Sequence, residues 1–359
     1  MLDVLGSSTM LGKRKADTEQ QRGSSLRKQH LLSVREFDMD KVSALLVSAE
    51  RMKVLVKEGG GGDDRLKHRV LASVFYEPST RTSCSFQAAM LRLGGSVVSV
   101  NADHSSVQKG ESLEDTIQTM GCYCDAIVLR HPVKGSALQA SKVSANCPII
   151  NAGDGVGEHP TQALLDLFTI QTELGRVGQY DPRQGISSAT APLMTVTLLG
   201  DLKNGRTVHS LVKLLALFPG IRLIYVAPAA LAMPQELVEE IRTSGAENST
   251  STLPHSRPEQ ITHLSLDEAI AETDVLYVTR VQKERFATAE EYEAVKGSYC
   301  VDAALMLKAK KNMIVMHPLP RLQEISTDVD ADPRAAYFRQ MENGMYMRMA
   351  ILDAIIRGP

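Results

Sequence analysis

VLASVFYEPSTRTSCSFQAAMLRLGG (70–95) holds the pattern on which the fold turns. The apolar run VLASVFY (70–76) predicts a buried strand, and SFQAAMLRLGG (85–95) predicts a helix stopped by glycines. Between them stand Ser79, Thr80, Arg81 and Thr82, three hydroxyls around one arginine. A strand-to-helix turn gathers free backbone N–H groups and the positive end of the helix dipole, which makes it a ready anion site. Capping of the helix by Ser79 or Thr80 would explain the hydroxyls without any ligand. The surroundings have to choose between the two.

Working outward from this unit, strand and helix patterns alternate from Met39 onward. Further strands are expected at SVVSV (96–100), DAIVLR (125–130), CPIINA (147–152), LMTVTLLG (193–200), IRLIYVA (221–227), DVLYVTR (274–280) and NMIVMH (312–317). Helical patterns such as ESLEDTIQTMGC (111–122), HPTQALLDLFTIQTEL (159–174), TVHSLVKLLALF (207–218) and PQELVEEIRTSG (234–245) fall between them. Apolar strands alternating with helices imply parallel sheets covered on both faces, and hence two α/β domains. VGQYDPRQGISSATAP (177–192) reads as an interdomain or surface loop.

Open parallel sheets bind ligands beyond the carboxyl ends of their strands. Six of the expected strands end in unusual polar groups: STRT, Arg130 before HP, GDGVGEHPTQ, DLKNGRT, Arg280 before VQKER, and PLPR. Arg81, Arg130, Arg206, Arg280 and Arg321 are therefore expected to converge on one cleft. Guanidinium forks match phosphate and carboxylate geometry, so the ligand should be small and carry several negative charges. GDLKNGRT (200–207) nearly matches the phosphate loop of nucleotide triphosphatases. Arginine, however, stands where the lysine belongs, and the interior glycines are missing. Arg206 at a helix N-terminus instead suits a carboxylate.

The 359 residues, 43% hydrophobic with a net charge of −2, describe a globular protein with no basic excess for nucleic acid or an anionic membrane. No apolar run approaches the ~20 residues of a membrane span. Five cysteines at scattered positions imply free thiols in a reducing compartment, the cytoplasm. Cys122 and Cys124 do not have a zinc spacing, and metal binding is not expected. Residues 1–29, polar and aperiodic, read as a disordered lead-in or linker.

STRT (79–82), SSVQKGE (105–111), RHP (130–132), HPTQALLDLFT (159–169), GDLKNGRTVHSL (200–211), RVQKER (280–285) and HPLPR (317–321) follow in order. Together they resemble the aspartate/ornithine carbamoyltransferases, on the aspartate side of that family. They are most similar to the transcarbamoylase domain of multifunctional eukaryotic pyrimidine-synthesis polypeptides, and the resemblance runs from about residue 30 to the end. It implies two doubly wound parallel-sheet domains with the active site between them and at a subunit interface. Residues 30–162 plus 340–359 would bind carbamoyl phosphate and residues 163–339 would bind aspartate. The implied reaction carries the carbamoyl group to the α-amine of L-aspartate, without a cofactor, in de novo pyrimidine biosynthesis.

Residue by residue, the resemblance places phosphate on Ser79, Thr80, Arg81 and Thr82, which favours the ligand reading of the opening turn. It sets Arg130, His159 and Gln162 around the carbamoyl group, with Pro318 and Leu319 lining that side. Arg206, Arg280 and Gln282, with Leu319, would hold aspartate. Ser105 and Lys109 would reach a neighbouring subunit's site, which implies a homotrimer with shared active sites, fused in vivo to other pathway domains. The catalytic set would be Arg81, Thr82, Lys109, Arg130 and His159. Gln108 stands where bacterial members often carry a second basic residue, and YCVDAALMLKAKK (299–311) follows the family loosely. Pro318 in place of a cysteine, and Arg280 where an ornithine ammonium would be repelled, argue against an ornithine substrate. An inactive scaffold would need a broken site, and every motif residue is present.

Overall fold

A computed structural model describes residues 26–101, 105–175, 194–244, 257–263 and 265–358. The expected lead-in, apart from its residues 26–29, and the whole 177–192 loop lie outside the described residues. In the first half, helix α1 (Met39–Lys57) leads to β1 (Val70–Phe75), α2 (Thr80–Arg92), β2 (Ser96–Asn101), α3 (Leu113–Tyr123), β3 (Ala126–His131), α4 (Ser136–Val143), β4 (Ile149–Asp154) and α5 (Pro160–Leu174). Asp38 caps α1 by accepting from the Lys41 N–H, and Pro160 opens α5 at a position whose N–H has no partner in any helix. In the second half come β5 (Met194–Leu199), α6 (Arg206–Leu215), β6 (Ile221–Val226), α7 (Gln235–Ser244), β7 (Glu259–His263), α8 (Leu266–Ala269), β8 (Val275–Val278), α9 (Ala289–Val295), α10 (Ala303–Lys308) and β9 (Ile314–Met316). A last helix, α11 (Tyr337–Leu352), packs back against α1, α2 and α5 of the first half.

Among the described residues all strand pairs are parallel, in a four-stranded sheet ordered β2-β1-β3-β4 and a five-stranded sheet ordered β7-β6-β5-β8-β9. The expected pair of parallel α/β sheets is thus observed. Every residue of β4 and β5 is buried, as strands covered on both faces must be. One apolar core unites the sheet faces turned toward α5 and α11, and smaller clusters lie on the outer face of each sheet.

Two differences from the sequence reading have physical causes. The strand expected at 147–152 begins two residues later, at Ile149, because Pro148 has no N–H to give the ladder. β7 (EQITH) was not expected. It is an edge strand pairing only with β6, so it needs no double apolar face, and its Gln260 is held by the Tyr225 hydroxyl at 2.7 Å.

The strand orders locate the site. In each sheet the winding reverses once, between β1 and β3 in the first and between β5 and β8 in the second. At such a switch point the chains leaving two neighbouring strands diverge and open a crevice. STRT and Arg130 follow β1 and close β3; DLKNGRT and Arg280 follow β5 and β8.

Candidate active site

A cleft of about 1010 Å³ lies between the two switch points. Ser79 is the N-cap residue of α2, but its side chain makes no capping hydrogen bond. The capping explanation of that hydroxyl therefore fails, and Ser79, Thr80, Arg81 and Thr82 all line the cleft. Arg81 has no carboxylate partner among the described residues, and burial together with the nearby Arg280 lowers its pKa.

Arg130 stands at a break in the β3–β4 register between Leu129 and His131, a local irregularity of the kind that re-aims a side chain. Its Nε lies 3.3 Å from Glu77 Oε2 without making a hydrogen bond, and its pKa is lowered to about 10 by burial and then by Arg206. Arg206, at the N-terminus of α6, has Nη2 3.8 Å from the same Glu77 oxygen and donates to the Gly155 carbonyl. Its guanidinium crosses the first half at Gly153, where φ is +116° and a Cβ would stand 3.1 Å from Arg206 Cζ. Glycine there lets the arginine of one half reach the backbone of the other.

His159 precedes α5 and is 3% exposed. It is the N-cap residue of α5, but its side chain makes no capping hydrogen bond. Burial, followed by the charges of Arg206, Arg130 and Arg348, holds its pKa well below the usual histidine value. These surroundings favour the neutral imidazole, and Thr161 Oγ1 at 3.4 Å from Nδ1 suits the tautomer with its proton on Nε2. An imidazolium among three cations is unfavourable, which makes this histidine a better donor than proton acceptor.

Gln162 also lines the cleft, as do Arg280 and Gln282 beyond β8 and Pro318 and Leu319 after β9. Gln282 Nε2 donates to the Asn204 carbonyl at 3.2 Å, tying the β8 and β5 loops together. At the switch point itself Gly200, with φ +113°, packs so closely that a Cβ would meet the Thr279 carbonyl oxygen at 2.2 Å. Leu319 takes a positive φ of 54°, and His317 Nδ1 accepts its N–H at 2.7 Å.

Ser105 and Lys109 do not line this cleft. They flank and end an exposed 3-10 turn (Ser106–Lys109) with no buried residue. Arg321 departs from the expected convergence. It turns away to pair with Asp330, hydrogen-bonds the Tyr337 hydroxyl at 3.0 Å and packs 5.1 Å over that ring. A carboxylate supplied nine residues later satisfies this guanidinium, so it is not offered to a ligand.

Sequence reasoning missed Glu77, Arg285, His317 and Arg348 as cleft residues. Arg348 carried a visible signal, a single charge in the apolar helical run MYMRMAIL (345–352). Glu77 carried none, since an acid beside an anion-binding turn looks contrary to its purpose until Arg130 and Arg206 are seen on either side. Six arginines against Glu77 and Glu342 leave the cleft strongly cationic. It can hold a phosphate at the α2 N-terminus and carboxylates on the opposite wall. Among the described residues no cluster of His, Cys, Asp or Glu could hold a metal ion, all five cysteines are free, and no helix is long and apolar enough to cross a membrane.

Comparisons with known proteins converge on one group. The carbamoyl phosphate-binding domain model of the aspartate/ornithine carbamoyltransferases matches residues 29–172, and their Asp/Orn-binding domain model matches residues 194–355. The chain is 53% identical over 332 residues to the multifunctional protein pyr1-3 of Dictyostelium discoideum, covering 92% of this chain but only 14% of that protein. It is 44% identical over 337 residues to the aspartate carbamoyltransferase catalytic subunit of Methanopyrus kandleri, covering 93% of this chain and 99% of that one. Aspartate transcarbamoylase from Trypanosoma cruzi, solved with N-(phosphonacetyl)-L-aspartic acid, superposes with a TM-score of 0.80 at 46% identity, covering 92% and 97% of the two chains. The chain belongs to the aspartate/ornithine carbamoyltransferase family.

Proposed function

We infer that this chain transfers the carbamoyl group of carbamoyl phosphate to the α-amine of L-aspartate, giving N-carbamoyl-L-aspartate and phosphate in de novo pyrimidine biosynthesis. The observation that carries this reading is the cleft's division of cations. Arg81 sits at a helix N-terminus on one wall, and Arg206 and Arg280 sit on the other, in a chain 44% identical to an aspartate carbamoyltransferase along nearly the whole of both.

In this reading Ser79, Thr80, Arg81 and Thr82 bind the phosphate, with Ser105 and Lys109 supplied by a neighbouring subunit of a homotrimer. Thr82, Arg130 and His159 donate to the carbonyl oxygen, Gln162, Pro318 and Leu319 surround the carbamoyl amide, and Arg206, Arg280 and Gln282 take the aspartate carboxylates. Holding amine and carbonyl in contact can contribute roughly 7–11 kcal/mol. Each donor aimed at the tetrahedral oxyanion adds about 3–4 kcal/mol. Arg81 and Lys109 stabilise the departing phosphate, and that phosphate, rather than the cation-flanked His159, takes the amine's proton. Residues 30–162 with 340–359 form the carbamoyl phosphate domain and 163–339 the aspartate domain, in a cytoplasmic enzyme that forms part of a larger pyrimidine-pathway polypeptide. An assay with carbamoyl phosphate and either L-aspartate or L-ornithine tests the reading. Turnover with aspartate alone is expected; turnover only with ornithine, or none, overturns it.

A further inference from the structure

The polar floor of the cleft converges on a carboxylate that none of these roles uses. Asp166 lies on α5 one turn after Gln162 and is fully buried. It accepts from Gln162 Nε2 at 2.8 Å, from Gln340 Nε2 at 2.6 Å and from the Tyr277 hydroxyl at 2.8 Å. The three donors come from α5, α11 and β8, so a single side chain joins both halves of the molecule. Burial pushes its pKa up to about 7, against these hydrogen bonds and the nearby charge of Arg348.

A glutamine amide donates from one end and accepts at the other. A carboxylate facing that amide selects the donating end. With Nε2 turned to Asp166, Gln162 keeps Oε1 for the cleft that it lines. The same oxygen of Asp166 orients Gln340, whose Oε1 then accepts the His317 N–H at 2.9 Å at the start of the HPLPR loop.

We propose that Asp166 is a positioning residue that sets acyl selectivity: by fixing Gln162 with its oxygen toward the cleft, it favours a carbamoyl group, whose –NH2 donates, over an acetyl group, whose methyl cannot. The proposal rests on reading the cleft as the carbamoyl phosphate site. A pocket built to accept a hydrogen bond from substrate rejects the analogue that lacks the donor.

The test compares the KM for carbamoyl phosphate with the competitive inhibition constant of acetyl phosphate, in chains checked for folding and oligomeric state. In Asp166→Ala the KM should rise while the acetyl phosphate constant stays, raising the ratio of KM to that constant about tenfold for one misdirected hydrogen bond. General damage would weaken both ligands alike and leave the ratio unmoved. Asp166→Asn should restore the wild-type ratio, because Oδ1 still accepts from both glutamines while Nδ2 donates to the Tyr277 hydroxyl. In a Gln162→Met background Asp166→Ala should change the ratio no further. If the alanine chain does not fold, Asp166→Leu fills the same space without an acceptor. An unchanged ratio in a folded acceptor-less variant, or the same tenfold change without Gln162, overturns the proposal. A wild-type chain with no turnover overturns the underlying reading of the cleft instead, and this proposal with it.

Discussion

The two walls of the cleft are built on different kinds of backbone. On the first, α2 begins among the phosphate candidates and His159 and Gln162 lie at the buried start of α5. On the second, only Arg206 begins a long helix, while Arg280 and Gln282 follow the end of β8 and lead into a 3-10 turn (Lys283–Arg285). A group carried by a regular element is held more precisely than one on a loop, which opens and shifts at lower cost. The first wall therefore suits an anion bound into a standing site, and the second suits a partner whose binding completes it.

The largest effect expected from this contrast is at Arg81. Arg81→Ala should leave a folded chain but lower turnover by ~10² or more, since it removes a charge contact in the standing site. Thermal unfolding measured beside activity checks it, and near-wild-type turnover would break the assignment of the first wall. Arg280→Ala should act on the second wall alone. The KM for aspartate should rise by about tenfold or more with carbamoyl phosphate binding spared, and a calorimetric titration that finds the latter lost would erase the distinction between the walls.

A smaller signal is expected from subunit mixing. Arg81→Ala and Lys109→Ala chains, each inactive, should recover on dissociation and random reassembly to about a quarter of wild-type activity if Lys109 serves a neighbour's site. Verified exchange without recovery would confine Lys109 to its own chain.

The smallest effect concerns pH. Because the folded pKa of Asp166 is raised, the folded chain holds its proton more tightly than the unfolded one. Its contribution to stability is then fully present below the ordinary aspartate pKa and is lost as pH rises through about 7. Melting curves of the wild type and Asp166→Asn at pH 5 and pH 8 should show the wild type losing more stability on that rise. Parallel behaviour of the two chains would contradict the buried, proton-holding carboxyl.

The two walls were also unequally legible in the sequence. The alternation of apolar strands with helices announced both sheets, and the polar strand ends announced the cleft, because burial on two faces and ligand binding at carboxyl edges each leave a local mark. β7 left none, since the edge strand EQITH (259–263) reads as loop. Arg321 read like its neighbours until the chain folded Asp330 against it. Glu77 and Asp166 were invisible as site groups because their meaning comes from partners far along the chain: Arg130 and Arg206 for one, Tyr277 and Gln340 for the other. Local pattern reports what a segment buries; it does not report what it meets.

The covalent path of the chain also has a mechanical consequence. It passes from the first half to the second between α5 and β5, and it returns between β9 and α11. A single tether would let the halves swivel freely about it. Two crossings, with α5 and α11 packed side by side, restrict how the halves can turn relative to one another more than one would. The arginines of the second half and the α2 N-terminus that they face across the cleft are thus carried on bodies that the chain joins at two places, not one.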